Sequence, residues 1–412
     1  MTALDALLAL CFGYPFVMSW YWIVGGLLHE QGRERFEPPP DAPPRLDAYP
    51  PVSILVPCFN EEDGAEETFA ALDAIDYPEY EIIAINDGSR DRTAQVLAGI
   101  AARMPRLRVV NLATNQGKST ALNVGALAAR SEILVCIDGD ALLDRHALTW
   151  MVRRFQSDAH LGALTGNPRI RNRASLLGRL QVGEFSAIVG LVRRAQTVYG
   201  ALFTVSGVIC AFRKRALHEA GWWSPAALTD DVDVSWRIQI AHWGIAYEPK
   251  AMCWILMPET LRGLWRQRLR WAEGGAQTIL GLTNAMFTRH AWHLVPTWLN
   301  YLVSMLWAYA MLIAFLAWLV AIAIGAPPMG VSALPGNGGL LLALIYFIQA
   351  MTSAVLDRRY EKGLGESLFW VVWYPLAFWM LQAATAVVGL PRALRRPVHA
   401  RGTWVSPDRG FR

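Results

Sequence analysis

Charged residues are scarce in this sequence and are missing altogether from long stretches of it. Only 17% of the 412 residues are Asp, Glu, Lys or Arg, whereas about a quarter of the residues in a soluble domain are charged. No charged residue lies between Asp5 and His29, and 294–356 contains none either. A run of about 20 apolar residues is long enough to cross a bilayer. The sequence therefore predicts a transmembrane helix over 12–28, two within 294–356 and one over 368–390.

Cysteine is rare as well, and this excludes two classes of small protein. The five cysteines are scattered, odd in number and without a Cys-x-x-Cys pair, so a disulfide scaffold or zinc site is disfavoured. Reduced thiols agree with a cytoplasmic central region. A net charge of only +4 gives no support to a nucleic-acid partner. Gly117-Lys118 lacks the spacing of a P-loop, which argues against an ATPase.

Basic residues near the apolar runs predict the orientation of the chain. Arg33 and Arg35 follow the first run, and no basic segment precedes it. This pattern disfavours a cleaved signal peptide and places the N-terminus outside and the central region in the cytoplasm. The basic tail also favours the cytoplasm, yet three crossings after a cytoplasmic domain leave it outside. Either one crossing is miscounted or the positive-inside rule is broken.

The chain divides into six segments by composition. A Pro-rich stretch separates the first apolar run from a region of about 200 residues, enough for one substantial core. The expected segments are a transmembrane helix (1–30), a Pro-rich linker (31–50), a cytoplasmic domain (51–258), interfacial helices (259–292), transmembrane helices (293–391) and a basic tail (392–412).

Short β-branched runs alternate with amphipathic stretches in the first half of the cytoplasmic domain. This alternation predicts an α/β domain with a Rossmann-like, mostly parallel, doubly wound sheet. Ligands in such sheets bind beyond the carboxyl ends of the strands. The predicted strands are 52–56, 81–85, 107–110 and 133–137, and the predicted helices are 66–75, 93–104 and 119–130.

Two later stretches, 174–199 and 261–282, mix apolar, aromatic and Arg residues at helical spacing. We interpret them as amphipathic helices in the membrane interface, with Arg outward and Leu or Trp inward. The alternative is ordinary packing of basic helices on the sheet.

Polar clusters follow three of the predicted strands. Residues 57–61 and Asn86-Asp87-Gly88-Ser89 each fit a simple turn when taken alone. The alternative is that together, at adjacent strand ends, they form a nucleotide pocket in which Asp87 accepts hydrogen bonds from a base or ribose. Asp138-Gly-Asp140 brings together two carboxylates that repel each other unless a cation lies between them. Mg²⁺ or Mn²⁺, shared with substrate phosphates, is the expected cation.

Two further clusters suggest a base and an acceptor site. In Thr229-Asp230-Asp231 the acids either cap a helix or supply a general base, Asp231, for an acceptor hydroxyl. Gln267, Arg270 and Trp271 are spaced for one helix face. Arg270 suits a diphosphate and Trp271 a sugar ring. The alternative is that Arg270 and Trp271 anchor the helix in the membrane interface.

Taken in order, Asp87, Asp138-x-Asp140, Thr229-Asp-Asp231 and Gln267-x-x-Arg-Trp271 resemble the signature of processive family 2 glycosyltransferases. Cellulose, chitin and hyaluronan synthases belong to that group. The resemblance extends to its poly-β-1,6-N-acetyl-D-glucosamine synthases of bacterial biofilms and covers nearly the whole chain from Phe12. The segments that carry this extension are 166–171, 205–213, 254–260, 267–275 and 404–410.

The resemblance implies a glycosyltransferase A-type domain and the roles of its site residues. UDP-N-acetylglucosamine is the implied donor, Asp231 the base, and inversion at the anomeric carbon the implied mechanism. The other implied roles are uridine binding (Glu61, Asp87, Lys118, Asp138), metal binding (Asp138, Asp140) and diphosphate or acceptor binding (Asp230, Gln267, Arg270, Trp271).

The family also implies partners and a location. These are a growing poly-N-acetylglucosamine chain, the lipid bilayer of the bacterial inner membrane, a small membrane subunit and cyclic di-GMP as activator, with basic residues of 392–401 as its candidate contacts. Two features depart from the pattern: Thr-Asp-Asp replaces the commoner Thr-Glu-Asp, and one N-terminal span stands where two are expected. The competing interpretations are another β-polysaccharide synthase, a non-processive polyprenyl-phosphate glycosyltransferase and a non-catalytic nucleotide-binding regulator.

Overall fold

The structure is a computed structural model that describes residues 3–325, 337–361, 364 and 374–397. Residues 368–373 of the last predicted span and the tail beyond 397, including segment 404–410, lie outside the described residues. The described chain combines one α/β domain with long apolar helices from both ends of the sequence.

Eight strands form one mixed sheet in the order β3-β2-β1-β4-β7-β6-β8-β5. Strand β1 pairs in parallel with β2 and β4, and β2 with β3, whereas β7 is antiparallel to β4 and β6. The predicted fold class is therefore confirmed. The strands are β1 (Val52–Cys58), β2 (Tyr80–Asn86), β3 (Leu107–Asn111), β4 (Ile133–Ile137), β5 (Leu142–Leu143), β6 (Leu161–Ile170), β7 (Ile209–Arg213) and β8 (Gly244–Ile255).

Helices cover both faces of this sheet, which is why its central strands are continuous apolar runs instead of alternating ones. Every residue of β1 and β4 is buried. The helices of the domain are α2 (Ala65–Asp73), α3 (Thr93–Ala101), α4 (Lys118–Ala128), α5 (Ala147–Ser157), α6 (Leu176–Glu184), α7 (Leu191–Tyr199), α8 (Lys214–Glu219) and α9 (Asp230–Ile240), with a π-helical turn at Phe185–Gly190.

The strand register brings the predicted polar clusters to one edge of the sheet. Cys58 at the end of β1 lies opposite Asn86 at the end of β2, and Asn86 lies opposite Asn111 at the end of β3. Strand β4 runs parallel to β1 and ends at Ile137. The residues that follow all four strands therefore face the same space.

The remaining helices link the domain to the apolar ends of the chain. They are α1 (Ala3–Gly32), α10 (Leu261–Gly281), α11 (Thr283–Met286), α12 (Val295–Ala323), α13 (Asn337–Asp357) and α14 (Tyr374–Arg395). Within the described residues, three segments are long and apolar enough to cross a membrane: Asp5–Phe36, Ala291–Ala323 and Gly338–Asp357. They contain the predicted first span and the two predicted within 294–356, whereas α14 is not among them.

The prediction that the arginine side chains of 174–199 and 261–282 point outward is wrong at three positions. Arg194 of α7 is fully buried, Arg193 is about nine-tenths buried, and Arg268 of α10 is 1% exposed. Carboxylates explain two of these cases, since Arg194 pairs with Glu34 and Arg268 with Glu184 inside the protein. Pairing lowers the large cost of removing a guanidinium from water.

A buried ionic network joins the α/β domain to the apolar helices. The guanidinium of Arg194 contacts Glu34, just after α1, at 2.6 Å and Asp357, at the end of α13, at 2.9 Å. Arg169 of β6 contacts the other oxygen of Asp357 at 2.6 Å. The hydroxyl of Tyr360 donates to Glu34 at 2.7 Å. One connected set of charged side chains thus links the segment after α1 and the end of α13 to the sheet domain.

Candidate active site

Asp87, directly after β2, forms the floor of the site. Its carboxylate is fully buried and accepts hydrogen bonds from the backbone amides of Gln116 and Gly117, both at 2.8 Å. Gly117 has a φ of 90°, a conformation that favours glycine, at the start of α4. Burial raises the pKa of Asp87, while the two amides oppose that rise. Asp87 therefore orders the loop that leads into α4.

Glu61 lies against the Asp138-Gly-Asp140 turn. Its side chain is 2% exposed, and a methyl group placed on Gly139 would lie 3.2 Å from its Cγ atom. Cys253 of β8 lies close by, and its thiol pKa is raised first by burial and then by the charges of Asp138 and Asp140. Three of the predicted donor-site carboxylates are thus brought together beside β1, β4 and β8.

Lys118 connects two parts of the site that the sequence leaves separate. Its Nζ atom donates to the carboxylate of Asp138 at 2.5 Å and to the carbonyl oxygen of Gly207 at 2.9 Å. Burial alone would lower the pKa of Lys118, but the charges of Asp138, Asp230 and Asp231 outweigh it, so the pKa is raised. The ammonium group remains charged and lies between the metal-site acids and the predicted base.

Asp231, in the first turn of α9, is held in place by backbone amides. Its carboxylate accepts from the amide of Gly207 at 3.1 Å and from that of Val232 at 2.9 Å. Burial and the neighbouring charge of Asp230 raise its pKa, whereas the charges of Lys118 and Arg270 lower it. A carboxylate with a raised pKa is a stronger base, which suits proton removal from a hydroxyl.

Helix α10 packs directly against the loop that leads into α9 and Asp231. Gly274 faces Thr229 so closely that a methyl group on it would lie 2.4 Å from the Thr229 hydroxyl oxygen. The side chain of Gln277 bonds the same loop twice, accepting from the Leu228 amide at 3.1 Å and donating to the Ala226 carbonyl at 3.1 Å. The helix and the base are therefore fixed relative to each other.

The predicted acceptor face of α10 is open to the site. Arg270 is exposed, and the Trp271 side chain is 38% exposed. Gln267 is half-buried, its amide nitrogen lies 4.0 Å from the Met257 sulfur, and its Oε1 atom has no hydrogen-bond partner within the described residues. Unsatisfied polar atoms of this kind favour a polar ligand.

The carboxylates fit a divalent cation only if a substrate completes its ligands. Among the described residues no group of three or more His, Cys, Asp or Glu side chains is placed to hold a metal. Asp138 and Asp140 supply two oxygen donors. Mg²⁺ is commonly held by one or two carboxylates together with substrate phosphates, so this pair suits a cation that arrives with a diphosphate.

Sequence reasoning missed two groups that complete the site. Gly207, whose amide and carbonyl contact Asp231 and Lys118, follows no strand and carries no reactive side chain. Arg268 lies under Trp271, although its position within the Gln-Arg-Leu-Arg-Trp sequence gives no sign of burial. Only the three-dimensional packing reveals either contact.

Known proteins match this chain along nearly its whole length. Residues 50–274 match the family model described as glycosyltransferase-like family 2. A poly-β-1,6-N-acetyl-D-glucosamine synthase of Staphylococcus aureus is 37% identical over 402 residues, covering 96% of this chain and 97% of the relative. The synthase of the same name from Staphylococcus epidermidis is 36% identical over 412 residues with the same coverage.

A solved structure has the same fold. A mannosyltransferase from Pyrobaculum calidifontis in complex with GDP-mannose and Mn²⁺ superposes with a TM-score of 0.67 at 23% identity, covering 95% of this chain and 97% of that one. The similarity extends beyond the α/β domain, because that domain alone makes up a smaller part of this chain.

Proposed function

Because this chain belongs to glycosyltransferase family 2, we propose that it polymerises N-acetylglucosamine from UDP-N-acetylglucosamine into β-1,6-linked polysaccharide. The observation that carries this proposal is the 37% identity to a synthase of that product over 96% of the chain. That coverage includes the α/β domain, the Gln267-to-Trp271 helix face and the apolar helices. A transferase of soluble acceptors would need no such helices.

The site residues suit a single displacement with inversion. Asp231 removes the proton from the 6-hydroxyl of the acceptor as that oxygen attacks the anomeric carbon. An α-linked donor thereby gives a β-linked product. Arg270 binds the diphosphate through its fork of donors, and Trp271 offers an apolar ring to the acceptor sugar. Glu61, Asp87 and Lys118 line the donor side, where Asp87 orders the loop and Lys118 balances the carboxylates.

A divalent cation fits the donor side of this scheme. Asp138 and Asp140 would hold it with the donor diphosphate, and a bound Mg²⁺ or Mn²⁺ supplies positive charge to the leaving UDP. The Mn²⁺ in the mannosyltransferase complex of the same fold supports this proposal. The charge of Asp230 acts on Lys118. We expect Asp230 to face the diphosphate from the side opposite Asp138 and Asp140.

We place the protein in the bacterial inner membrane as a multi-pass protein with a cytoplasmic catalytic domain at 51–258, and the three long apolar helices support the membrane-spanning part of this proposal. Two crossings by α12 and α13 return the chain to the side of that domain. The end of α14 lies on this side as well, because Arg396, the residue after the helix, lies 3.6 Å from Glu273 of α10. The growing chain would leave along the adjoining helices, and a small membrane subunit and cyclic di-GMP would activate synthesis.

Polymer synthesis tests the proposal. Membranes containing the protein, its partner subunit and cyclic di-GMP receive radiolabelled UDP-N-acetylglucosamine and Mg²⁺, and the product is digested with linkage-specific glycosidases. We expect a polymer that only a β-1,6-N-acetylglucosaminidase cleaves. Asp231→Asn should abolish the polymer and leave UDP-sugar binding largely intact. A short glycolipid product would instead indicate a polyprenyl-phosphate glycosyltransferase, and near-normal polymer from Asp231→Asn would remove the base assignment.

A further inference from the structure

Arg268 is a buried cation in the middle of the predicted acceptor helix. It is 1% exposed, whereas Arg266 and Arg270 on either side of it are exposed. Its guanidinium carbon lies 4.2 Å from the centre of the Trp271 ring, at a distance typical of a cation–π contact. One face of the Trp271 ring is therefore occupied by Arg268, and the side chain keeps 38% of its surface exposed.

Glu184, the last residue of α6, holds the guanidinium from the other side. Its carboxylate lies 2.7 Å from the Nη2 atom of Arg268 and is 3% exposed. Within the described residues, Nε, Nη1 and Nη2 of Arg268 have no hydrogen-bond partner, so Glu184 holds the guanidinium by charge. A buried ion pair of this kind adds little net stability compared with apolar side chains of the same volume. The contact between Arg268 and the Trp271 ring points instead to a role in placing that ring.

The region around α6 also fixes the start of α10. Asn172, just before α6, exchanges hydrogen bonds with the backbone of Met257 at 2.6 and 2.9 Å. Gln181 of α6 donates to the Pro258 carbonyl at 2.9 Å. The turn from β8 into α10 and the guanidinium of Arg268 are thus held by the same helix, so the Trp271 ring has a fixed support.

We propose that Arg268 is a positioning residue, which holds the Trp271 ring in the orientation that binds the acceptor sugar, and that Glu184 fixes Arg268. This inference rests on the proposed function and extends it, because an aromatic ring binds the apolar face of a neutral pyranose. The covered face of the ring contacts Arg268, and the uncovered face is left for the sugar. Among the described residues, the donor-site side chains of Asp87, Lys118 and Asp138 bond to one another's loops and to Gly207.

Arg268→Met removes the charge and keeps most of the side-chain volume. It also removes the cation beside the buried Glu184 carboxylate, so the thermal midpoint should fall as well, and elongation is compared at equal amounts of folded protein. We expect chain elongation to fall about tenfold, the loss of one desolvated cation–π contact, and the product chains to become shorter. UDP affinity, measured by titration calorimetry, should change less than about twofold, because Arg270, the residue of this helix assigned to the diphosphate, is unchanged. Arg266→Met is the matched control, since Arg266 is exposed on the same helix, and it should elongate normally.

A double-mutant cycle separates positioning from a general structural role. Arg268→Met should add no further loss in a Trp271→Ala background, because the residue through which Arg268 acts is gone. Glu184→Gln provides a milder second variant, and its loss should vanish in the same background. Additive losses in both cycles, or equal loss of UDP binding and elongation in both single variants, would overturn the inference. A wild-type protein that makes no polymer would instead overturn the proposed function on which the inference rests.

Discussion

At the scale of single residues, the site depends on neighbouring carboxylates that repel each other when both are charged. Asp230 and Asp231 are adjacent in the first turn of α9. The ammonium group of Lys118 partly neutralises the negative charges of both residues and of Asp138. Two neighbouring carboxylates are costly to keep charged in a partly buried site. Burial and then the charge of Asp230 raise the pKa of Asp231, which makes it a better proton acceptor than an isolated aspartate.

The pH dependence of the reaction should therefore reflect Asp230. Asp231 must be deprotonated to act as a base, and because its pKa is raised, activity should be lost on acidification at a higher pH than for an ordinary aspartate. Asp230→Asn removes a negative charge that raises this pKa, so the acid limb of the kcat/KM profile for UDP release should move to lower pH.

The exposed Asp158→Asn serves as the control for that profile and should leave the limb in place. An acid limb that stays fixed or moves upward in Asp230→Asn would contradict the electrostatic coupling between the two acids.

Some of these residues could be predicted from sequence and others could not. Asp87, Asp138 and Asp140 were predictable because parallel strands end at a common edge and carry their polar residues there. The burial of Arg268 under Trp271 was not predictable, since it depends on Glu184, more than 80 positions earlier in the chain. Helical spacing fixes which residues share a face, but only tertiary packing decides what covers that face.

At the scale of elements, α10 and the loop that contains Thr229 approach each other so closely that only glycine fits at position 274. Gly274→Ala should destabilise the protein by about 1–3 kcal/mol through overpacking, because the added methyl group would lie 2.4 Å from the Thr229 hydroxyl. The helix must then move away from Asp231, so polymer synthesis should fall more than UDP binding.

Thermal unfolding in detergent and polymer synthesis measure these two effects. Gly281→Ala is the control, because nothing lies within 4 Å of its added methyl group at the C-terminal end of α10. Adding Thr229→Ala should partly rescue Gly274→Ala by removing the colliding atoms. If Gly274→Ala matches Gly281→Ala in both assays, the contact does not position α10.

Local elements were largely predictable, whereas their order in the sheet was not. Strand β4 coincides with the predicted 133–137, and α10 (Leu261–Gly281) nearly coincides with the predicted 261–282. These elements follow from local hydrophobic periodicity. The insertion of β7 between β4 and β6 is a pairing of strands distant in sequence, and no local pattern encodes it.

At the scale of the whole molecule, the ionic network around Arg194 joins three parts of the chain. Arg194→Met would leave Glu34 and Asp357 buried with one cation fewer. Removing one partner of a buried pair typically costs about 3–5 kcal/mol. We expect a large drop in the thermal midpoint of the detergent-solubilised protein, together with poor membrane insertion.

Arg215→Met provides the comparison for that measurement. Arg215 and Glu219 form an ion pair at 2.8 Å on the surface, and such exposed pairs contribute little to stability. A thermal midpoint for Arg194→Met equal to that of Arg215→Met would show that the buried network does not hold the molecule together.

The same network has a consequence for the order in which the polypeptide is made. Arg169 and Arg194 emerge from the ribosome long before Asp357, the carboxylate that contacts both of them. Until α13 has been synthesised, the two guanidinium groups lack this shared counter-ion. The α/β domain can therefore complete the ionic network only after the chain has been made as far as α13, so a ribosome that stops before Asp357 releases a chain in which this network is not yet assembled.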